Sequence, residues 1–419
     1  MSWSPRTDRS CASSAARCSR GGTVSSRSAP VTAIVTTFNR ANFLGEALDS
    51  ILGQTVVPAQ VIVVNDGSTD GTAEVLQRYG DRIEVIDQEN AGKPTALNRA
   101  LLQARGDHVW IFDDDDIALP ENVERNLAAL EADPAIGFAF SGCRIVDSYP
   151  DGRLVHRDAL PIPDISDDEI FPRLLEENFL QQQSMLVRTR CYREVGSFDP
   201  AFSQGEDYEM NLRLARRFPG RGVGGESFLF RHHPGVRGQP GAQFAAVDRY
   251  RRWIDFNRIL LQRLHGELGL AEYLPRGQAG APLDEARRRH ALLQRAAVMA
   301  RCGLWELALP DFREALVGAP PGVPLQPVER DMCGRALSMY VRRYPAVEEL
   351  IDRPELVERL QQLIEECGRA ELRSAFGLEV VRYARRKLSH DRDRAQAARA
   401  FRLARRLGGM HGRFMDDAG

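Results

Sequence analysis

The sequence predicts an α/β fold in the first half of the chain and an all-α region in the second. Short apolar, β-branched runs alternate with segments of helical periodicity up to residue 143. Strands and helices that alternate in this way form β-α-β units around a mostly parallel sheet flanked by helices. After residue 243 the strand-like runs stop, and Ala, Arg and Leu recur at helical spacing. We therefore expect a sheet-containing domain at residues 31–243 and a helical region at residues 244–419.

The composition is that of a globular protein and argues against several functional classes. The chain has 419 residues, of which 43% are hydrophobic and 27% charged, and its net charge is −2. This near balance of charge argues against a general nucleic-acid binder. No apolar run approaches the roughly 20 residues that span a bilayer. The seven dispersed cysteines favour a reducing compartment, so we expect a cytoplasmic protein.

The strands are predicted by apolar and β-branched residues, and the helices by one-sided apolar spacing. Residues 31–37 and 60–64 are rich in Val, Ile and Thr, which favour extended backbone. The segment from Phe43 to Leu52 instead places its large apolar residues on one helical face. By the same criteria, further strands are predicted at residues 83–86, 109–112, 136–143, 184–187 and 228–230, and further helices at residues 73–79, 93–104 and 121–132.

Two segments lack this regular pattern. Residues 1–30 are rich in Ser, Arg and small residues, and no apolar stretch of a secretory signal follows the arginines. We expect this N-terminal segment to be disordered. Residues 147–168 are rich in Pro and Asp and predict a long loop.

One part of the helical region, residues 296–320, resembles a tetratricopeptide repeat. The matching positions are Ala308, Phe312, Ala315 and Pro320. Pro310 departs from that pattern, because a proline is expected to interrupt the second helix of the repeat.

The last predicted helices carry a basic face. Its residues are Arg382, Arg385, Arg386, Lys387, Arg399, Arg402, Arg405 and Arg406. Such a face is either simply solvated or contacts anionic lipid or a protein partner.

Four carboxylates, Asp113, Asp114, Asp115 and Asp116, follow the apolar run at residues 109–112. Four adjacent aspartates repel one another, and hard Mg²⁺ or Mn²⁺ is a suitable counter-charge because it prefers carboxylate oxygen. Ligands also bind at the ends of strands in open α/β sheets. The alternative is a solvated acidic turn that caps the next helix.

Three other polar segments occur in a fixed order around this cluster. Residues 36–40 follow the first strand, residues 65–68 follow the second, and residues 205–207 open a helix. With the four aspartates, this arrangement resembles family 2 glycosyltransferases over residues 31–239. The resemblance implies the GT-A nucleotide-diphospho-sugar transferase fold, and metal-dependent, inverting transfer of a sugar from a nucleotide donor.

The resemblance implies roles for the acidic cluster. Asp113 and Asp115 match the DxD pair of the family, and Asp116 matches its following acid. We expect these three residues to bind Mn²⁺ or Mg²⁺, with Asp115 the direct ligand. Asp113 and Asp114 are also expected beside the nucleotide sugar.

The resemblance also implies a donor site. Asp66 matches the base-binding aspartate, which would favour a UDP or dTDP donor, although an Asx turn explains this residue as well. Thr37 and Phe38 are expected to line the same pocket. The remaining donor-site residues in this prediction are Asn39, Arg40, Lys93 and His232. His232 is expected near the diphosphate or metal, with His233 as the alternative.

Asp207 matches the catalytic base of the family, and Glu206 is the next candidate. A carboxylate at a helix start is also a common N-cap, so that structural role stays open. The acceptor would be a hydroxyl of a glycan, lipid-linked or protein molecule, as in polysaccharide biosynthesis. The alternative functions are a catalytically inactive nucleotide-binding scaffold that acts through its helical region, and a nucleotidyltransferase.

Overall fold

The computed structural model describes residues 27–149, 151–202, 204–233, 249–280, 282–317, 325–340 and 343–408. Most of the predicted disordered segment, the predicted boundary at residue 243 and the predicted repeat position Pro320 lie outside these residues. Arg27 to Pro30 were predicted to be disordered, but they form the start of the first strand. This strand therefore begins four residues before Val31.

The strands of the described residues form one mixed sheet. They are β1 (Arg27–Thr37), β2 (Val56–Asp66), β3 (Glu84–Gln88), β4 (His108–Asp113), β5 (Ile117–Ala118), β6 (Phe138–Ser148), β7 (Leu154–Leu160), β8 (Met185–Arg188) and β9 (Gly220–His232). The strand order is β3-β2-β1-β4-β8-β6-β9-β5, and β7 pairs with β6 outside this path.

The first half of the sheet confirms the predicted β-α-β units. Strands β3, β2, β1 and β4 are parallel. Beyond β4 the sheet is mixed, because β8 runs antiparallel to both β4 and β6, and β5 runs antiparallel to β9. Parallel neighbours need long crossover connections, and the short connection from β6 to β7 allows only a hairpin.

Among the described residues of the part that contains the sheet, seven segments are α-helical. They are α1 (Ala41–Leu52), α2 (Thr72–Gln77), α3 (Lys93–Leu101), α4 (Asn122–Ala132), α5 (Ile170–Glu176), α6 (Thr189–Val195) and α7 (Glu206–Arg217). The described part of the C-terminal region contains α8 (Arg249–Glu267), α9 (Arg276–Ala279), α10 (Glu285–Arg301), α11 (Trp305–Val317), α12 (Pro327–Arg335), α13 (Pro345–Asp352), α14 (Pro354–Cys367), α15 (Ala370–Ser389) and α16 (Arg394–Arg406).

The sheet buries apolar residues on both faces. Ala33 and Val61 belong to a core with α1, α2 and α4, whereas Ile34 and Ile62 belong to a second core on the opposite face. This second core continues into the helical region, where it includes Leu292 of α10. Burial on both faces explains why the central strands read as continuous apolar runs.

The predicted loop at residues 147–168 is wrong over part of its length. Strand β6 extends to Ser148, and β7 forms a hairpin with it. Most residues of β7 are exposed, so its sequence lacks the apolar alternation that predicts a strand.

The predicted interruption of the second repeat helix at Pro310 is also wrong, because α11 continues through this residue. Pro310 and Glu306 are both exposed, so the helical hydrogen bond that Pro310 cannot make lies on the exposed side of α11. None of the helices in the described part of the chain combines the length and apolar character needed to cross a membrane.

Candidate active site

The predicted site residues meet at the carboxyl-terminal edge of the parallel strands. Strand register places Thr36 of β1 beside Asp113 of β4, and Thr37 beside Asn65 of β2. The loops after β1, β2 and β4 therefore lie next to one another. This edge is where an α/β sheet binds its ligands.

Three of the four carboxylates in the acidic cluster are buried and the fourth, Asp113, is partly exposed, which argues against a solvated turn. Asp114 and Asp115 are 9% exposed and Asp116 is 1% exposed. The next helix, α4, has Glu121 as its N-cap, without a side-chain capping bond. The cluster therefore does not serve as a helix cap, and its repulsion must be balanced by other groups.

Lys93 and Gln183 hold Asp113. The Lys93 ammonium lies 2.7 Å from Asp113 Oδ1, and the Gln183 amide donates to Asp113 Oδ2. The same amide donates to Asp116 Oδ2 at 3.0 Å, while the Arg231 backbone N–H donates to Asp116 Oδ1 at 2.7 Å. These bonds fix the orientation of both carboxylates.

Asp115 contacts His233, not His232. His233 Nε2 lies 3.0 Å from Asp115 Oδ2, and its side chain is 2% exposed. His232 instead lies near Asp147 of β6, with 3.7 Å between Nδ1 and Oδ1. The donor-site role of His232 therefore stays a prediction, and of the two adjacent histidines it is His233 that reaches the acidic cluster.

Arg40, one of the predicted donor-site residues, lies beside the acidic cluster. Its Nε is 4.0 Å from Asp114 Oδ1 and 3.9 Å from Asp115 Oδ2. Burial, followed by the nearby Asp115 charge, raises the pKa of Asp114 to about 7 despite Arg40. A cation bound among the carboxylates of the acidic cluster would reduce the repulsion between Asp114 and Asp115.

Glu206 and Asp207 lie in the first turn of α7. The N-cap of this helix is Gly205, so Asp207 does not fill that structural role. Lys93 Nζ lies 3.4 Å from Glu206 Oε1, which connects the acidic cluster to this second acidic pair. Asn98, on the same helix as Lys93, also exchanges two hydrogen bonds with the backbone of Phe198.

Burial shifts the ionisation of this second pair. It raises the pKa of Glu206 to about 7, although Lys93 opposes the shift. It also raises the pKa of Asp207, again against Lys93. For Lys93 itself, burial lowers the pKa, but Asp113 and Glu206 outweigh that effect and hold it well above the ordinary value. Lys93 is therefore a cation shared by both acidic groups.

Asp66 organises the loop that precedes Lys93. It is 4% exposed, and its carboxylate accepts hydrogen bonds from the Gln88 amide at 2.7 Å and the backbone N–H groups of Ala91 and Gly92 at 2.8 and 2.9 Å. A carboxylate has about four acceptor positions, so one remains for a ligand. These bonds cross to β3 and its loop, unlike those of a local Asx turn.

The residues at the end of β1 have two different kinds of contact: some lie at the acidic cluster or are partly exposed, and Asn39 binds the next loop. Thr37 is buried beside Asp114, and Phe38 is partly exposed. Asn39 has a φ of +54° and bonds to the β2 loop, since its Oδ1 accepts from the Thr69 N–H at 2.8 Å. Asn39 therefore joins two loops.

The carboxylates suit a hard divalent cation. Oxygens of Asp113, Asp115 and Asp116 lie within 4.8 Å of one another. Carboxylate oxygen is the preferred ligand of Mg²⁺ and Mn²⁺. The His233 nitrogen beside Asp115 adds one further donor of the kind that transition metals bind.

Gln183 is the site residue that the sequence did not indicate. It lies in a short 3-10 turn, Gln182–Ser184, and is 4% exposed. Its carbonyl also accepts from Trp110 Nε1 at 2.8 Å. The only available signal was the polar run before β8, which does not distinguish a surface turn from a buried one.

Residues 32–193 match the family described as Glycosyl transferase family 2. The chain is 30% identical over 194 residues to an uncharacterized glycosyltransferase of Rickettsia felis, covering 45% of this chain and 32% of that protein. It is 29% identical over 188 residues to the chondroitin synthase of Pasteurella multocida, covering 44% of this chain and 19% of that protein. The chain thus spans less than two thirds of the length of these relatives.

Among solved structures, TarS of S. aureus (residues 1–349, in complex with UDP-GlcNAc) is similar over 91% of this chain and 93% of that chain. The sequence identity is 16% and the TM-score is 0.46. The match to the family rests on the same segment that brings the acidic cluster to the edge of the sheet. Residues 32–193 are therefore a family 2 glycosyltransferase domain, built on an α/β core with a mixed sheet.

Proposed function

We propose that this protein is a metal-dependent, inverting glycosyltransferase that moves a sugar from a nucleotide-diphosphate donor to an acceptor hydroxyl. One observation carries the proposal: Lys93 contacts both Asp113 of the acidic cluster and Glu206 of the second acidic pair. A donor diphosphate at the cluster would therefore place its sugar close to a carboxylate base. Separate sites for leaving group and base are what inverting transfer needs.

In this proposal Asp207 takes the proton from the acceptor hydroxyl. The acceptor oxygen attacks the anomeric carbon, and the bond from that carbon to the diphosphate oxygen breaks with the electron pair going to the diphosphate. Asp207 is more exposed than Glu206, which is held by Lys93. This difference supports Asp207 as the base and leaves Glu206 to position Lys93.

The leaving diphosphate would be stabilised by charges around the cluster. Lys93 and Arg40 provide two of these charges. Asp115, Asp113 and Asp116, with His233, would hold Mn²⁺ or Mg²⁺, which when bound supplies further positive charge to the phosphates. Because imidazole nitrogen is a ligand of transition metals, His233 favours Mn²⁺ over Mg²⁺.

Asp66 supports a UDP or dTDP donor. Its remaining acceptor position would take the imide N–H of uracil or thymine, while Thr37 and Phe38 line the pocket. Gln88 and the loop at residues 91–92 hold this carboxylate in the orientation needed for that bond.

For the acceptor we propose a glycan, lipid-linked or protein hydroxyl, with polysaccharide biosynthesis as the setting. The similarity to a protein named chondroitin synthase supports a glycan. The β6–β7 hairpin lies next to the end of β9 that leads to the site, since Asp147 pairs with His232, the residue before His233. The exposed arginines of α16, such as Arg402 and Arg405, would allow a peripheral contact with the cytoplasmic face of a membrane.

The test is a donor screen with Mn²⁺. The protein is incubated with UDP-, dTDP- and GDP-sugars, and nucleoside diphosphate release is measured. We expect release with a UDP- or dTDP-sugar, and loss of release with EDTA or with Asp115→Asn. Asp81→Asn, which changes an exposed aspartate, serves as the control and should leave the rate unchanged.

The same screen separates the alternative functions. Thermal stabilisation by UDP and Mn²⁺ without release from any donor would support an inactive nucleotide-binding scaffold. Pyrophosphate as the product would instead identify a nucleotidyltransferase. Either result would contradict the proposed transfer.

A further inference from the structure

The segment that carries the two acidic residues of α7 is packed against the helical C-terminal region. Gly205, directly before Glu206, has a φ of +82°. A Cβ atom built on Gly205 would lie 2.6 Å from Cε1 of Phe256, which belongs to α8. The Phe256 ring therefore lies directly on the backbone one residue before Glu206 and two before Asp207.

The Phe256 ring also contacts Phe202, which precedes Gly205 in the chain. The rings of Phe202 and Phe256 have centroids 4.8 Å apart and planes at 83°, an edge-to-face contact. Arg263, two turns further along α8, lies over Phe202 and within 3.7 Å of Asp199 Oδ2. Helix α8 thus contacts three residues of the segment that leads into α7, namely Asp199, Phe202 and Gly205.

Helix α8 is itself held by the helical region. The Asn257 amide donates to the Tyr340 hydroxyl at 2.8 Å, and Arg258 Nε donates to the Cys302 carbonyl at 2.8 Å. Asn257 is 7% exposed, so its bond lies in the interior. Through these contacts the position of Phe256 is set by helices that the α/β domain does not include.

We infer that Phe256 is a positioning residue for the Glu206–Asp207 pair, so that the helical region forms one wall of the active site. This inference rests on the proposed function of Asp207 as the base. The left-handed backbone at Gly205 leaves room for an aromatic ring instead of a Cβ atom, and the ring limits where the first turn of α7 can lie. A displacement of about 1 Å at a base can cost 100-fold in rate.

The experiment compares Phe256→Ala, Phe256→Leu and Ile259→Ala. Ile259 lies on the same helix and is 62% exposed, so its variant controls for changes in α8 itself. Two quantities are measured in the full-length protein: steady-state turnover across pH, and amide hydrogen exchange of peptides spanning residues 204–212.

We expect Phe256→Ala to lower kcat about 10- to 100-fold, with KM for the donor within about twofold. The acidic limb of its kcat profile should move, because the Asp207 carboxylate changes its surroundings. Phe256→Leu should restore most of the rate. Exchange at residues 204–212 should accelerate in Phe256→Ala and stay unchanged in Ile259→Ala.

The inference is overturned if Phe256→Ala and Ile259→Ala give the same exchange at residues 204–212. It is also overturned if donor KM rises by as much as kcat falls, because a raised KM indicates that the substitution disturbs the donor site and not only the base. If the wild-type protein releases no nucleotide from any donor, the proposed function fails, and the exchange comparison still decides whether Phe256 holds this segment.

Discussion

Lys93 has the most consequential position of any single residue in the site. Its ammonium lies 2.7 Å from Asp113 and 3.4 Å from Glu206, which are 93 residues apart in the chain. The sequence predicts that this lysine belongs to the donor site but cannot show that it also faces α7. That second role follows from the fold, because α3 and α7 converge at the same edge of the sheet.

Replacing Lys93 with Met should shift the pH dependence of turnover. Glu206 and Asp207 already have raised pKa values because of burial, and Lys93 opposes that rise. A carboxylate base works only when deprotonated, so the rate falls as pH falls through its pKa. Without the ammonium the pKa should rise further, and the acidic limb should move to higher pH. This is measured as kcat between about pH 5 and 9.

Arg99→Met provides the matched control for this substitution. Arg99 lies on the same helix, α3, but is exposed and its contacts are with β3. Its acidic limb should coincide with that of the wild type. A Lys93→Met profile that also coincides with the wild type would show that the ammonium does not tune the base.

The residues of the site were predictable to different degrees. Asp113 and Asp115 could be found because strand ends and carboxylates are visible in the sequence. For the histidine beside Asp115, the sequence leaves two adjacent candidates, His232 and His233. It cannot decide between them, because the side to which a residue at a strand end points depends on register. Gln183 was not predictable, because its role depends on the folded positions of Asp113 and Asp116.

Among the secondary-structure elements, α11 departs most clearly from the expected rules. It contains Pro310 in its interior, where the ring removes one helical hydrogen bond. The surrounding apolar residues, including Phe312 and Ala315, are buried in the core shared with α10 and hold the helix in place. Tertiary packing therefore outweighs local propensity in this helix.

Pro310→Ala should stabilise the protein. An alanine restores the hydrogen bond to the Glu306 carbonyl and removes a cost of about 3 kcal/mol for an interior proline. Alanine has greater conformational freedom than proline in the unfolded chain, which reduces this gain in stability by about 1 kcal/mol. We therefore expect the free energy of unfolding to rise by about 2 kcal/mol, measured by urea denaturation.

Pro354→Ala tests whether this gain depends on position. Pro354 is exposed and lies at the start of α14, where its missing N–H would have no helical partner. This variant should be neutral or slightly less stable than the wild type. Equal gains at both positions would mean that the position of Pro310 inside α11 is not the cause.

The same physical reason separates the elements that could be predicted from those that could not. Strands β1, β2 and β4 are buried on both faces, so their sequences are strongly apolar. Strand β7 lies at the edge of the sheet and is mostly exposed, so its sequence resembles a loop. Its pairing with β6 is set by the fold around it.

Across the whole molecule, a buried ion-pair network joins the α/β domain to the helical region. Glu176 of α5 is 1% exposed. Its carboxylate lies 2.9 Å from Arg335 Nε and 3.6 Å from Arg301, and accepts from the Gln294 amide at 2.7 Å. Since the apolar core also continues between the two parts, the two should unfold together.

Glu176→Gln should destabilise the protein strongly. The substitution keeps the volume of the side chain but removes the buried carboxylate that Arg301 and Arg335 share, so that each keeps only its more exposed acidic partner, Glu177 or Asp331. Breaking a buried pair in this way costs about 3 kcal/mol or more. The measurement is urea denaturation followed by circular dichroism, with a single transition expected.

Glu314→Gln is the control, because Glu314 pairs with Arg288 at an exposed position. Exposed ion pairs contribute about 1 kcal/mol or less, so this variant should unfold close to the wild type. Equal effects of the two variants, or two separate transitions in the wild type, would contradict a shared core and a stabilising junction.

The most direct test of the proposed mechanism is the Asp207→Asn variant, measured for both turnover and donor binding. The amide keeps the shape of the side chain but cannot take a proton, so turnover should fall about 100- to 10,000-fold. Binding of the donor with Mn²⁺ should stay within about twofold of the wild type, because the acidic cluster is unchanged. Wild-type turnover in Asp207→Asn would show that this carboxylate is not the base and would contradict the proposed mechanism.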